Sequence, residues 1–395
     1  MVSPKTISVT LSLGSEAHHA SLPEMFAQRG MLRRAVRFGK DLDILAPDGD
    51  AVKVIHRFAS FRLGTRLVWG TWRRLPTFAR STVPMVLWSG ITDRMISRWI
   101  PPCDVFHGMA VSSLVSLRYA KRLGASTIVD SPFRHPASWQ RDVARDCATV
   151  GLDPKRCERF MTPLMIRRLM QQYELCDRII VYSSEAQRSF EPFPCSSKAV
   201  VVRPGIDHHV FAPIRSSRTD STFRACYVGR IEAPKGVAYL LWTWKRLALA
   251  DAELLLVGRD FPEIHSILQD APPNVRLTGF LSMEGVAKCL AQSNIFVFPS
   301  ANEAMSLALL QAMSAGIPVI ACQDTPAQDC ITPGQNGILV PARNTEALAD
   351  AILWCYRNRD ALALMGQAAR TRIEQEFTLS HYVQRLIALY ESIVS

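Results

Sequence analysis

The chain has 395 residues and a formal net charge of +11, and 48% of its residues are hydrophobic. This length favours two domains of roughly 170–200 residues over a single core, and the composition excludes a disordered or fibrous protein. The ten Cys residues form no CxxC pair, which is typical of reduced thiols in a cytosolic protein and argues against a zinc site.

The N-terminal half alternates short apolar runs with helix-like stretches, as βα units do. Ile7–Leu13 predicts the first strand, because it is too short and too rich in Ser and Thr for a signal peptide. Leu22–Lys40 predicts the first helix, and a long helical stretch is expected at about 136–173. Six further strands are predicted in this half: Asp43–Leu45, Ala51–Ile55, Val105–His107, Thr127–Asp130, Arg178–Tyr182 and Val200–Val202.

The excess of positive charge lies in the same half, because residues 1–200 hold 29 of the 46 Lys/Arg but only 17 of the 35 Asp/Glu. No acidic residue occurs between Asp50 and Asp93. Basic and aromatic side chains alternate there: Lys53, Arg57, Arg62, Arg66, Arg73, Arg74 and Arg80 with Phe58, Phe61, Trp69, Trp72 and Phe78. This mixture suits an anionic membrane surface, and a solvated basic face over buried aromatics fits equally well. Nucleic acid is not expected as a partner, because no nucleic-acid-binding module is visible.

A stretch rich in Ser, Pro and charge, 207–222, predicts the domain boundary, after which the alternation resumes. The predicted strands are Ala225–Val228, Glu253–Val257, Val275–Thr278, Ile295–Phe298 and Val319–Ala321. The predicted helices are Val237–Leu249, Met283–Ala291, Ala304–Ala315, Thr345–Asn358, Ala361–Glu376 and Leu379–Ile393. Gly316 and Pro318 divide an apolar run that could otherwise pass for a transmembrane helix. The pattern predicts parallel sheets with ligands at the carboxyl ends of the strands.

The loop after the first strand of the second half carries two cations. The strand ends at Gly229, which allows close backbone approach, and Arg230 and Lys235 follow five residues apart. A guanidinium fork and an ammonium point charge suit a diphosphate, and the helix-like run after Gly236 adds a helix N-terminus. Neither a P-loop nor a GxGxxG dinucleotide fingerprint occurs in the chain, so the phosphate site is of another kind.

A second polar signal lies in FPSANEAMSLALLQAMSAGIPVI, residues 298–320. Glu303 is a lone carboxylate directly before an almost wholly apolar predicted helix, and Gln311 is the one strongly polar side chain within that helix. A helix-capping Glu beside a tolerated Gln would explain both residues. The cationic loop about 70 residues upstream favours a functional interpretation instead.

Six segments in order resemble the family-4 retaining glycosyltransferases, which have the GT-B fold of two Rossmann-like domains facing each other across a cleft. They are CDRIIVYSSEAQRSF, VVRPGIDHHVFAP, YVGRIEAPKG, LLLVGRD, NVRLTGFLS and the segment containing Glu303. The resemblance is specific over about residues 175–395 and looser before them. It implies an acceptor-binding domain over 1–206, a nucleotide-sugar domain over 207–378, and a final helix, about 379–395, that packs back on the first domain.

The resemblance also implies roles for single residues. Arg230 and Lys235 would bind the donor diphosphate and stabilise the charge on the departing nucleotide, and Glu303 would lie beside the donor sugar. The remaining donor-side residues are those of the strand ends, the helix start and the ribose position: Gly229, Gly258, Phe280, Leu281, Ala304, Met305, Ser306 and Gln311. No cofactor is expected beyond the nucleoside-diphosphate sugar itself. The Asp-x-Asp pairs, Asp41/Asp43 and Asp48/Asp50, lie far upstream, so metal independence is predicted.

The sequence departs from the family pattern in three places. Gln311 replaces the second Glu of the E-x7-E motif, and an amide loses the charge-assisted bonds that a carboxylate makes to ribose hydroxyls. The usual Gly-Gly after the first strand is reduced to Gly14. The usual His-x-His reads His107-Gly108-Met109, so His107 is either an acceptor-side group or a core residue. The other candidates on the acceptor side are Gly14, His18, Arg134 and His135, and a surface-loop role is equally open for Arg134 and His135.

The sequence therefore predicts a metal-independent retaining hexosyltransferase that uses a nucleoside-diphosphate sugar. Its expected acceptor is a polysaccharide or lipid-linked precursor, and its expected place is the cytoplasm, with peripheral contact to the inner membrane face as an option. Two alternatives remain open. One is a degenerate, non-catalytic GT-B subunit, which Gln311 and Met109 favour. The other is a GT-B nucleotide-sugar enzyme of different chemistry.

Overall fold

Two α/β sheets organise the chain in the computed structural model, which describes residues 7–13, 21–38, 42–45, 83–157, 159–211 and 220–394. The first sheet has seven strands in the order β3-β2-β1-β4-β5-β6-β7, and the second has six in the order β10-β9-β8-β11-β12-β13. Every neighbouring pair is parallel except β2 and β3. Both orders reverse direction next to the first strand of the sheet, which is where open α/β sheets form their ligand crevice.

The elements of the first half are short strands separated by helices. The strands are β1 Val9–Leu13, β2 Leu32–Phe38, β3 Leu42–Leu45, β4 Val105–Met109, β5 Ser126–Asp130, β6 Arg178–Val181 and β7 Ala199–Val201. The helices are α1 Leu22–Ala27, α2 Val83–Ser97, α3 Leu114–Arg122, α4 Pro136–Thr149, α5 Pro163–Leu175 and α6 Ser184–Arg188. Strands β4, β5 and β6 are almost wholly buried, as expected of a sheet covered on both faces.

The second half repeats this construction. Its strands are β8 Phe223–Val228, β9 Ala252–Val257, β10 Val275–Gly279, β11 Ile295–Phe298, β12 Val319–Cys322 and β13 Gly337–Val340. Its helices are α7 Val237–Leu247, α8 His265–Gln269, α9 Met283–Ala291, α10 Leu307–Ser314, α11 Thr345–Arg357 and α12 Arg359–Glu376, followed by the final helix α13 Leu379–Val394. One hydrophobic cluster runs from Ile206 to Phe377 and forms the core of this half.

Helix α13 returns to the first sheet. Its apolar side chains, among them Tyr382 and Tyr390, pack in one cluster with residues of β1, β4, β5 and β6. The chain therefore crosses between the two halves twice, and the crossings run side by side: Ile206 N donates to Phe377 O at 2.9 Å, and Leu379 N donates to Ile206 O at 3.2 Å. A Cβ on Gly205 would lie 2.1 Å from Thr378 O, so the paired crossings require glycine there.

The structure corrects several predicted elements. The helix predicted over Leu22–Lys40 ends at Ala27; Gly30 then turns the chain at a φ of 66°, and 32–38 pairs with β1 as a strand. Hydrogen bonding to a neighbouring strand therefore overrides the helix-like pattern of the local sequence. Strand β3 is antiparallel to β2, and β13 was not predicted. The predicted strand Ala51–Ile55 lies outside the described residues. None of the described helices is long and apolar enough to cross a membrane.

Candidate active site

The carboxyl edge of the second sheet brings the two predicted signals together. Strand β8 ends at Val228, and a Cβ on Gly258, which follows β9, would lie 1.8 Å from Gly229 O. Gly258 also has a φ of 146°, so the two strand ends can approach this closely only without a side chain. Gly236, after the next turn, also allows a close backbone approach: its φ is 70°, and a Cβ at this position would lie 2.3 Å from Pro299 O. This packing places the cationic loop against the segment that contains Glu303.

Lys235 and Glu303 form a buried ion pair at this edge. Lys235 closes a short 3-10 turn, Ala233–Lys235, and its Nζ donates to Glu303 Oε1. Ser300 Oγ donates to the same carboxylate oxygen at 2.7 Å. The two side chains are only 11% and 7% exposed. Burial and the nearby Arg159 guanidinium hold the pKa of Lys235 below its ordinary value, although Glu303 acts in the opposite direction.

A second buried carboxylate, Glu232, lies between two arginines. Arg230 Nε donates to Glu232 Oε2 at 2.8 Å, and Arg159 Nε donates to Glu232 Oε1. Glu232 is fully buried, and burial alone would raise its pKa, yet Arg159, Arg230 and Lys235 together lower it. Arg230 also lies with its guanidinium 3.9 Å above the ring of Phe261, an arrangement that fixes its plane.

Among the residues that the structure describes, this cluster holds three cations and two carboxylates, an excess of one cation. Arg159 comes from the segment between α4 and α5 of the first half, whereas the other four residues belong to the second half. Sequence reasoning missed both Arg159 and Glu232. Only the position of Glu232 inside the cationic loop was a visible signal, and the contact with Arg159 spans 73 residues. A positive cluster with preorganised guanidinium and ammonium groups suits an anionic ligand.

The helix after Glu303 begins later than predicted. Helix α10 starts at Leu307, and Ser306 is its N-cap, with Oγ accepting from Leu309 N at 3.3 Å. Ala304 and Met305 therefore precede the helix instead of forming its first turn. Ala304 O accepts from Ser183 Oγ of the first half at 2.8 Å, so this segment also joins the two halves. The N–H groups at the helix start still lie directly after Glu303 in the chain.

The other donor-side candidates lie along the same sheet edge. Gln311 is in α10, 8% exposed, with Nε2 3.9 Å from Met283 Sδ. Met283 starts α9, directly after the turn that contains Phe280 and Leu281. Phe280 is 86% exposed, whereas Leu281 packs against the core. The structure thus places the predicted ribose residue next to the turn predicted to lie near the base.

The candidates of the first half fall into different environments. His107 is fully buried in β4, with Nδ1 2.7 Å from Tyr390 Oη and Nε2 3.2 Å from Asp130 Oδ2. His107 joins α13 to the first sheet, which fits the core-residue alternative. Arg134 is tied to Asp142 at 2.7 Å and to Glu185 at 2.9 Å. Gly14 and His18 lie outside the described residues.

His135 is a buried cap of α4. Its Nδ1 accepts from Ala137 N at 3.3 Å, its ring stacks on Phe193 at 3.4 Å, and it is 3% exposed. The other ring nitrogen, Nε2, is buried and makes no hydrogen bond within the described part of the chain. Burial lowers the pKa of His135 from 6.5 to about 4, so the ring is neutral at neutral pH. The surface-loop role left open for His135 does not fit this burial.

The shifted pKa of His135 predicts a pH dependence of stability. Between pH 6.5 and about 4 the unfolded chain binds a proton at this ring and the folded chain does not, so the free energy of unfolding should fall as the pH falls. The His135→Asn variant keeps a side chain that can cap α4 and should lose this dependence. Urea titrations at several pH values should show a slope shallower by up to about 1.4 kcal/mol per pH unit. Parallel pH curves for the two proteins would contradict the assignment.

No group of three or more His, Cys, Asp or Glu side chains that could hold a metal ion occurs among the residues that the structure describes. Of the two upstream Asp-x-Asp pairs, only Asp43 lies in a described segment, on β3. The cations of the described cluster are the side chains of Arg159, Arg230 and Lys235.

Parts of the chain match known proteins in sequence. Residues 222–358 match the family described as glycosyl transferases group 1. The chain is 23% identical over 301 residues to a GDP-mannose-dependent monoacylated alpha-(1-6)-phosphatidylinositol monomannoside mannosyltransferase of Corynebacterium glutamicum, with 73% of this chain and 76% of the relative covered. It is 27% identical to the alpha-maltose-1-phosphate synthase of Mycolicibacterium smegmatis, with 56% and 64% covered.

Solved structures share the fold over nearly the whole chain. A sucrose-phosphate synthase from Thermosynechococcus elongatus superimposes with a TM-score of 0.68 at 18% identity, covering 98% of both chains. The Anabaena protein HepE, solved in complex with UDP, gives a TM-score of 0.63 at 13% identity and covers 98% of this chain and 100% of its own. These likenesses confirm the predicted GT-B fold.

Proposed function

Because the chain has the GT-B fold and a glycosyl transferases group 1 domain over residues 222–358, it is a glycosyltransferase, and we propose that it moves a hexose from a nucleoside-diphosphate sugar to an acceptor hydroxyl with retention of configuration. The observation that carries this proposal is the positive cluster of Arg159, Arg230 and Lys235 at the carboxyl edge of the second sheet. HepE, a protein of the same fold, was solved with UDP.

The cluster can supply the electrostatic part of such a reaction. In the transfer, the bond between the sugar C1 and the diphosphate oxygen breaks, the acceptor oxygen bonds to C1, and the acceptor proton passes to the departing diphosphate. Negative charge therefore develops on the phosphate, where Arg230 and Lys235 would stabilise it. Glu303 holds Lys235 in place before the donor arrives and would lie beside the sugar. Because fixed side chains supply the charge, the proposed reaction needs no divalent metal.

We propose a polysaccharide or lipid-linked precursor as the acceptor, used at the cytoplasmic face of a membrane. Relatives support this class: one acts on a phosphatidylinositol mannoside, and another is named as a capsular polysaccharide biosynthesis glycosyltransferase of Staphylococcus aureus. The basic and aromatic stretch over residues 53–80, which lies outside the described residues, would add attraction to an anionic surface.

The rival function is a non-catalytic subunit of the same fold. Gln311 favours it, because an amide binds ribose hydroxyls less strongly than a carboxylate does. The intact ion pair of Lys235 with Glu303, and the third cation Arg159, favour an active enzyme instead. A GT-B enzyme of other chemistry would share the nucleotide site, so only product analysis separates it from a transferase.

Calorimetry without added metal tests the proposal. UDP, GDP and ADP are titrated separately into the full chain, and the matching nucleotide sugar is then assayed for release of nucleotide with and without acceptor. We expect one nucleotide to bind selectively and its sugar to turn over. Binding without turnover would identify the non-catalytic subunit, and no binding of any nucleotide would refute the donor site.

The Gln311→Glu variant tests the ribose position. If residue 311 contacts the ribose hydroxyls, the carboxylate should hold the nucleotide affinity or tighten it by up to about fivefold, because charge-assisted hydrogen bonds are stronger than neutral ones. The Gln311→Leu variant is the control and should weaken binding. Titration of the nucleotide selected above into the three proteins measures both effects. A large loss of affinity in Gln311→Glu would show that this side chain is not at the ribose.

A further inference from the structure

A groove of about 790 Å³ lies on the first half, between α2, the start of α3, and α5. Its apolar part is lined by Leu87 and Ile91 of α2 and by Leu164 of α5. These side chains are 56%, 54% and 37% exposed, which is unusual for three large aliphatic residues around one concave surface. An apolar groove of this kind needs an occupant or a surface to cover it.

The basic part of the groove consists of Arg94 and Arg98 of α2 and Arg167 of α5. All three are exposed, and none makes a hydrogen bond or ion pair within the described part of the chain. On α2 the spacing from Leu87 through Ile91 and Arg94 to Arg98 follows one helix face, so apolar and basic side chains share that face. Among the residues that the structure describes, no carboxylate lines the groove.

The floor of the groove is fixed by a buried ion pair. Asp93 is fully buried and accepts from the first-turn amides of α3, Val115 N at 2.6 Å and Ser116 N at 2.9 Å. Arg168 Nη2 donates to Asp93 Oδ2 at 2.9 Å, and its Nε donates to Val111 O. The guanidinium of Arg168 is therefore already bound at the floor of the groove. Those of Arg94, Arg98 and Arg167 can bind a ligand.

Two helices that line the groove are connected in the chain to the proposed cleft. Helix α5 begins at Pro163, four residues after Arg159 of the positive cluster, and α3 follows directly from the carboxyl end of β4.

We propose that this groove docks the chain on the anionic surface of a phospholipid bilayer. Leu87, Ile91 and Leu164 would contact the acyl boundary, and the three unpaired arginines would contact lipid phosphates. The choice of partner rests on charge complementarity, because the described lining combines exposed aliphatic side chains with arginines and contains no carboxylate. The proposal deepens the proposed function by naming the surface at which a lipid-linked acceptor would be met, and vesicle binding can be measured independently of turnover.

Sedimentation of the full chain with vesicles tests the proposal, with phosphatidylcholine vesicles compared with vesicles of 30% phosphatidylglycerol in phosphatidylcholine. The wild type should not bind the pure phosphatidylcholine vesicles and should bind the vesicles that contain phosphatidylglycerol. The triple variant Arg94→Gln, Arg98→Gln, Arg167→Gln should bind them about 100-fold more weakly, at about fivefold for each arginine. The variant Leu87→Ser, Ile91→Ser should also lose binding. The matched control is Arg122→Gln, Arg145→Gln, Arg357→Gln, which removes three exposed arginines outside the groove. Its affinity should stay within about threefold of that of the wild type, because each removal weakens only the long-range attraction to the vesicle.

Two results would overturn the proposal. One is that the triple groove variant binds anionic vesicles as tightly as the wild type does. The proposal would fail most clearly if the variant Arg62→Glu, Arg66→Glu, Arg73→Glu, Arg74→Glu abolished binding instead. The other is no binding of the wild type to either vesicle. Nucleotide titration of the same proteins reports on the donor site alone, so failure of the groove and failure of the proposed transfer reaction give different results.

Discussion

The Lys235→Met variant should lower kcat by about 10²- to 10³-fold, the range seen when one preorganised group that stabilises developing charge is removed. Lys235 is the buried ammonium group of the positive cluster, and methionine keeps much of its length and shape without the charge. The measurement is release of nucleotide from the sugar donor identified by calorimetry. The same variant should also be less stable by about 3–5 kcal/mol, because Glu303 is left as a buried carboxylate without its cation.

A double variant separates these two effects. In Lys235→Met, Glu303→Gln no uncompensated charge remains, and Ser300 Oγ still has an amide oxygen to donate to. We expect its free energy of unfolding to recover most of the loss, whereas kcat stays low. Urea titrations alongside the activity assay give both numbers. If activity returned with stability, Lys235 would have a structural role only, and the diphosphate assignment would be wrong.

Much of the fold was predictable because its signals are local. Alternating apolar runs and helical stretches predicted the parallel sheets, and the six ordered segments predicted the GT-B arrangement that the comparisons confirm. The meeting of Lys235 with Glu303 could also be anticipated, since both follow the carboxyl ends of strands that are neighbours in the second sheet.

The sequence does not predict features that depend on contacts between residues far apart in the chain. Residues 32–38 have a helix-like pattern, yet they form a strand because β1 offers a parallel partner. The sequence allows His107 to be an acceptor group or a core residue, and its contact with Tyr390 of α13, which fits the core residue, could not be foreseen from the sequence. Arg159 reaches Glu232 from the other half of the molecule, and no spacing rule connects a loop arginine to a partner so far along the chain.

The last case has a functional consequence, because Arg159 completes the positive cluster from the opposite side of the cleft. Without Arg159 the described residues of the cluster would be two cations and two carboxylates. The arginine of the first half would thus supply the excess of positive charge that suits an anionic ligand. It would also make the proposed donor site dependent on both halves being in contact.

The Arg159→Met variant should therefore weaken nucleotide binding by about 10- to 100-fold, the range expected for the loss of one hydrogen-bonding partner of a charged ligand. The free energy of unfolding should change less than in Lys235→Met, because Glu232 keeps its bond to Arg230. Calorimetry with the selected nucleotide measures the affinity directly. Arg343→Met is the matched control: Arg343 also joins the two halves, through Asp146 at 2.6 Å, but lies outside the positive cluster. If Arg343→Met weakened nucleotide binding as much as Arg159→Met, Arg159 would act by holding the halves together and not by its charge at the donor site.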